Sequence, residues 1–134
     1  MKRWLVNLMI ALLLVILFVL PVRGMFSSAI TITITNQSEH QLDEMEISYF
    51  YNEEKIVIPS LEPKQTYQLK ITPSEKFSES SINLLYRDKN GKQLEETIVG
   101  YFEKGYQGSA DVTAVSMQSS GEIIFETEED LSLY

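Results

Sequence analysis

The sequence predicts an all-β chain, an antiparallel two-sheet sandwich of about seven or eight strands preceded by one N-terminal hydrophobic helix. Three observations carry that prediction. From Ile30 onward, apolar and polar residues alternate with period two in segment after segment. Turn-forming residues separate these segments at intervals of about 8–12 residues, the spacing of an antiparallel sandwich. No apolar stretch beyond Leu20 keeps helical spacing for more than two turns.

The chain opens with Lys2 and Arg3, followed by an apolar run from Trp4 to Leu20 in which Asn7 is the only polar residue. As a helix this run spans roughly 26 Å at ~1.5 Å per residue, just short of the ~30 Å hydrocarbon core. The basic start holds the N-terminus inside, so the bulk of the chain is expected to be exported. Two fates fit the run. A cleaved signal peptide would use small residues near Val22-Arg23-Gly24 or Ser27-Ser28-Ala29. An uncleaved signal anchor, a transmembrane helix, explains why the run exceeds the ~7–15 apolar residues of an ordinary signal. The expected organisation is a signal peptide or anchor over 1–28, a sandwich over 29–127 and an acidic tail over 128–134 that frays.

Ile30 to Thr35 alternates three isoleucines with three threonines, and Asn36 to Glu39 reads as a turn. In the second strand Met45, Ile47, Tyr49 and Tyr51 share one face, with Glu44, Glu46, Ser48 and Phe50 on the other. Lys55 to Ile58 is a short third strand stopped by Pro59, which cannot donate to a ladder. Tyr67, Leu69 and Ile71 mark a fourth strand, closed by Pro73, and Ile82, Leu84 and Tyr86 a fifth. Asn90-Gly91 predicts a hairpin, because both residues tolerate positive φ. The return strand runs from Lys92 to about Phe102, and Gly105 to Gly108 reads as a loop. Ser109 to Met117 and Glu122 to Thr127 are the last two strands, joined by a turn at Ser119-Ser120-Gly121.

Four of these segments carry a resemblance: Thr33-Ile34-Thr35-Asn36-Gln37-Ser38, Leu42 to Tyr49, Ile58 to Pro63, and Tyr67-Gln68-Leu69. Together, over residues 31–72, they resemble bacterial cell-adhesion-related Ig-like domains. Those open with a strand ending in an Asn-rich turn, then an alternating strand, then a Leu-x-Pro step into the next strand. The family usually has Gly after that proline, where this chain has Lys64. The resemblance implies an Ig-like fold and an accessory role, and it transfers no catalytic residue.

Composition narrows the chemistry. The 134 residues carry 11 Lys and Arg against 19 Asp and Glu, a formal charge of −8. Residues 25–134 keep 8 basic and all 19 acidic side chains, a net −11. A chain so acidic is not expected to bind nucleic acid, which needs a basic face. Having no cysteine, it has no disulfide framework, Cys-based zinc site or Cys nucleophile.

His40 is the one imidazole, with Ser38, Glu39 and Asp43 near it in sequence. Three residues in one polar turn rarely converge into a triad, and no Gly-x-Ser-x-Gly elbow is present. Glu44 with Glu46, and Glu126 with Glu128, share strand faces and read as solvated sides of half-buried strands. Asp88-x-Asn90-Gly91 resembles part of a calcium loop, but the hairpin already accounts for it. The stretch Gly100 to Gly108 holds three aromatics and three glycines in nine residues. It can stack a sugar or peptide on Tyr101, Phe102 or Tyr106, or it can form a bulge and chain reversal with Phe102 in the core.

The expected function is therefore a non-enzymatic interaction domain, exported and either secreted or held at the cell membrane with its C-terminus outside. No catalytic residue, metal or cofactor is assigned. Its expected partner is a protein or cell-wall component, met through Tyr101, Phe102 and Tyr106 or through an open strand edge. A carbohydrate-binding accessory module and a small hydrolase are the alternatives.

Overall fold

The computed structural model describes residues 29–49, 55–72 and 78–133. The expectations for residues 1–28, including the N-terminal helix, and for Phe50 and Tyr51 lie outside the described residues. Eight strands form: β1 (Ile30–Asn36), β2 (Met45–Tyr49), β3 (Ile56–Ile58), β4 (Thr66–Ile71), β5 (Glu79–Arg87), β6 (Gln93–Glu103), β7 (Tyr106–Met117) and β8 (Ile123–Leu133). Among the described residues there is no helix, and so none long and apolar enough to cross a membrane.

The strands make two four-stranded sheets, ordered β4-β1-β7-β8 and β3-β2-β5-β6. The period-two pattern explains the layering. Ile30, Ile32 and Ile34 of β1 face inward with Ala110, Val112 and Ala114 of β7 beside them, all fully buried. From the other sheet come Met45, Ile47, Ile82, Leu84 and Phe102, also fully buried in the same cluster.

The sheets are not wholly antiparallel. β1 pairs with β7 in parallel, Ile30 opposite Gly108 through Asn36 opposite Ala114. Alternation reports which face a residue occupies and not which way its neighbour runs. Five strands intervene between β1 and β7, so the long crossover that a parallel pair requires is available.

Three boundaries also move. Asn36 belongs to β1 instead of a turn. The loop expected at Gly105 to Gly108 shrinks to Lys104-Gly105, because β7 already starts at Tyr106. The acidic segment expected to fray is the second half of β8, pairing from Asp111 opposite Glu128 to Tyr106 opposite Leu133. Leu131 packs against the core there, and the start of β7 supplies hydrogen-bonding partners that composition alone does not reveal.

The sandwich has two distinct ends. One is where the described chain enters: the Ala29 carbonyl accepts the Gly108 N–H at 3.3 Å, and the ends of β4, β6 and β8 lie alongside. The other end carries the β5–β6 and β7–β8 hairpin tips. These are joined by a hydrogen bond from the Lys89 N–H to the Ser120 carbonyl at 3.0 Å.

Candidate functional site

Asn36 organises the far end of the sandwich. It is completely buried. Its Nδ2 donates to the carbonyls of His40 and Leu61, each at 2.8 Å. Its Oδ1 accepts the Ser38 N–H at 3.0 Å and the Ser38 hydroxyl at 2.7 Å. All four hydrogen-bonding capacities of the amide are thus used, as burial of so polar a group demands. The segment from Gln37 to Leu42 is held in place by this side chain, and Leu42 then bridges to Leu61.

Ser38 is spent in the same network, and His40 is exposed with its carbonyl tied to Asn36. The geometry therefore gives His40 an exposed turn position and commits the Ser38 hydroxyl to Asn36. Asp43 has its own local work: hydrogen bonds from Ser60, and then Gln41 at 2.8 Å, hold its carboxyl below the usual carboxylate range.

Three concavities open toward this far end. One, of about 270 Å³, sits on the outer face of β2, β3 and β5 among Glu44, Glu46, Val57, Leu85, Arg87 and Gln93. A second, of about 250 Å³, shares Glu44 and Arg87 with it and continues past Asp43, Asp88 and Lys89 to Gly121. The third, of about 370 Å³, lies between Gln37, Glu39 and His40 on one side and Val115 to Met117 on the other.

The first two form a mixed-charge groove. Glu44 enters β2 at φ 53°, the left-handed region that non-glycine residues seldom occupy. That conformation sets its carboxylate 3.9 Å from Arg87 Nε, while Arg87 Nη1 donates to the Gly91 carbonyl at 2.9 Å. On the strand beside it Glu46 meets Lys55 at 3.0 Å. Val57, 67% exposed on a short edge strand, adds an apolar wall. Sequence reasoning missed this groove because its residues come from β2, β3, β5 and the β5–β6 tip. Only the register Glu46 opposite Val57 and Leu85 brings them together.

The calcium-like motif has a structural use. Asp88 Oδ1 accepts the N–H groups of Asn90 and Lys92, both at 2.8 Å. The Asp88 N–H closes the loop on the Lys92 carbonyl at 3.0 Å. The hairpin thus has a three-residue loop with only Gly91 at positive φ, 79°, and Asn90 is not left-handed as the two-residue reading predicts. Among the described residues, no group of three or more His, Asp and Glu is placed to hold a metal ion.

The aromatic stretch divides. Phe102 is fully buried, packed edge-on to Tyr49 at 6.3 Å between ring centroids, and has no surface to offer a partner. Tyr101 is 49% exposed and Tyr106 half-buried, their rings 6.1 Å apart at 84°. A sugar stacks best on coplanar rings, and this edge-to-face pair is not such a platform. Both tyrosines lie at the Ala29 end, on the opposite side of the molecule from the groove.

Of the paired acids, Glu126 and Glu128 are exposed on β8, opposite Thr113 and Asp111. They stand on the outer face of their sheet. The chain matches no family model, no curated protein and no solved structure.

Proposed function

We propose that this chain is an exported, non-enzymatic, Ig-like binding domain, held at the outer face of a membrane or released from it by cleavage. It engages a protein or cell-wall partner through the end of the sandwich away from Ala29. The observation that carries this reading is polarity: the chain enters at one end, while the grooves sharing Glu44 and Arg87 open toward the other. A domain standing on a membrane offers its far end to what approaches.

The Ig-like assignment is supported by strand order. β1 beside β4 corresponds to the B–E pair of that fold, and β3-β2-β5-β6 to the C′-C-F-G sheet. The β7–β8 hairpin fills the flank where strand A would stand. Lys64 sits at φ 70°, where a glycine would be at ease, which accounts for the glycine usual at that step in the family the chain resembles.

The test is site-specific photo-cross-linking in cells, with the reactive residue at Gln93 in the groove and, separately, at Gln68 on the edge strand β4. A defined adduct from position 93 that disappears with Arg87→Glu is the expected result. Adducts from position 68 alone would move the binding surface to the sheet edge, and recovery of the chain entirely from cytosol would end the proposal.

A further inference from the structure

We infer that the Ala29 end of the sandwich is a membrane-resting face, with Tyr101, Tyr106 and Leu133 seated at the headgroup level of the bilayer that holds the leader. This rests on the reading of residues 4–20 as a retained anchor. Pro21 to Ser28 separate that apolar run from Ala29, and eight residues reach at most roughly 27 Å at ~3.4 Å each. Ala29 is fixed to β7 by its bond to Gly108, so the end it enters is the one the tether holds nearest the lipid.

The surface there suits an interface. Tyr101 and Leu133 are 49% and 41% exposed, two of the most exposed large apolar side chains among the described residues. Gly105 at the β6–β7 tip lies against Leu133, and a Cβ there would come within 3.4 Å of its Cδ2, so the tip and Leu133 form one continuous surface. Tyrosine is the residue type that settles at membrane–water boundaries, with its ring in the apolar layer and its hydroxyl in the wet one. The Tyr101 hydroxyl already donates to Glu103 Oε2 at 3.2 Å, which orients its polar edge.

The patch is too small to hold a free protein on lipid. A tether this short supplies an effective concentration on the order of millimolar, so a weak contact suffices. Glu79 and Glu103 lie at the same end, opposite each other in the register of β5 and β6, with Lys104 between the two tyrosines in sequence. Such a surface fits a zwitterionic headgroup layer and is repelled by a strongly anionic one. The two ends then have separate tasks, the tyrosine end meeting lipid and the groove end facing outward.

The experiment uses the full chain in phosphatidylcholine vesicles, part of whose acyl chains are brominated, with Trp4→Phe removing the native indole. Tyr101→Trp and Leu133→Trp report on the tyrosine end, and Asn90→Trp on the far hairpin. Flotation with the vesicles establishes that the leader is inserted. The expected result is that both tyrosine-end variants lose about half their emission to the quencher while Asn90→Trp loses none, as interfacial depth dictates. Equal, negligible quenching at all three positions in floated chains overturns the inference and leaves the binding-domain reading standing. A chain that does not float, or whose leader is removed, overturns the inference by removing the anchor. Two tyrosine-end probes guard against one substitution disturbing the fold.

Discussion

The Lys64 N–H donates to the Asn36 carbonyl at 2.7 Å, while the Asn36 N–H donates to the Gln65 carbonyl at 2.9 Å. The end of the first strand is thereby locked to the turn before the fourth, and that turn follows Pro63 with Lys64 at φ 70°. With the Gln65 N–H on the Glu62 carbonyl at 3.0 Å, it is a type II turn in which the strained position falls on lysine.

Replacing that lysine should strengthen the fold. A side chain in the left-handed region costs about 1–2 kcal/mol, and glycine removes that cost at a smaller loss through the unfolded chain. Lys64→Gly should therefore raise stability by about 0.5–1 kcal/mol in urea unfolding, with Lys64→Val lowering it. An unchanged midpoint for both would show that the turn carries no strain.

Asn36→Ala should be far more damaging than its small change in volume suggests. It orphans the His40 and Leu61 carbonyls and the Ser38 donors in a buried place. A loss of about 3 kcal/mol is expected, with Ser38→Ala costing about 1 kcal/mol. Denaturant titration of both variants checks the order.

The aromatic stretch should split by burial. Phe102→Ala empties a fully buried ring site and should cost about 3–5 kcal/mol. Tyr101→Ala should change stability by under about 0.5 kcal/mol. Thermal unfolding distinguishes them, and similar losses would contradict the burial assignment.

Two glycines should resist even alanine. At Gly121, φ 92°, a Cβ would stand 2.6 Å from the Lys89 N at the contact between the hairpin tips. At Gly108 it would collide with the Asp130 carbonyl oxygen across β7 and β8. Gly100→Ala, with nothing within 4 Å, is the control and should retain near-normal stability. Thermal midpoints of the three variants test the contrast.

Alkaline pH should loosen the contact between the sheets. The Tyr86 hydroxyl accepts the Ile123 N–H at 3.3 Å and lies 3.4 Å from its carbonyl, and its ring meets Phe125 edge-on. Burial, first of all, holds this phenol above its ordinary value of 10.0, with Glu122, Glu96 and Asp88 adding to the rise. The unfolded chain ionises at the ordinary value while the folded chain keeps its proton. The stabilisation is therefore full below about pH 10 and is lost as pH rises beyond it toward the folded value. Tyr86→Phe should flatten that part of the stability–pH curve, and an unaltered slope would assign the effect elsewhere.

The layering was legible because the threonines of Ile30 to Thr35 and the alternation through Tyr86 report burial directly. Ile123, Phe125 and Leu131 keep the inward parity of β8, but Thr127 and Glu129 interrupt it, so the strand's second half reads as a charged tail. Strand direction left no trace at all, since a parallel neighbour of β1 buries the same isoleucines as an antiparallel one. The groove was illegible for a related reason: Val57 joins Leu85 and Arg87 only through the register of β2, which lies between them. Tyr101 and Tyr106 were visible as unusual, and their separation from Phe102 followed only once the inward face was fixed.

The pairing of β1 with β7 also sets an order of events. In a polypeptide delivered N-terminus first, Ile30 to Asn36 precede by five strands the segment that completes their backbone ladder. Until Gly108 to Ala114 come through, three isoleucines have one sheet neighbour at most. The sheet that holds β1 therefore cannot close until β7 is present, and a truncation before Gly108 leaves the first strand with β4 as its one neighbour.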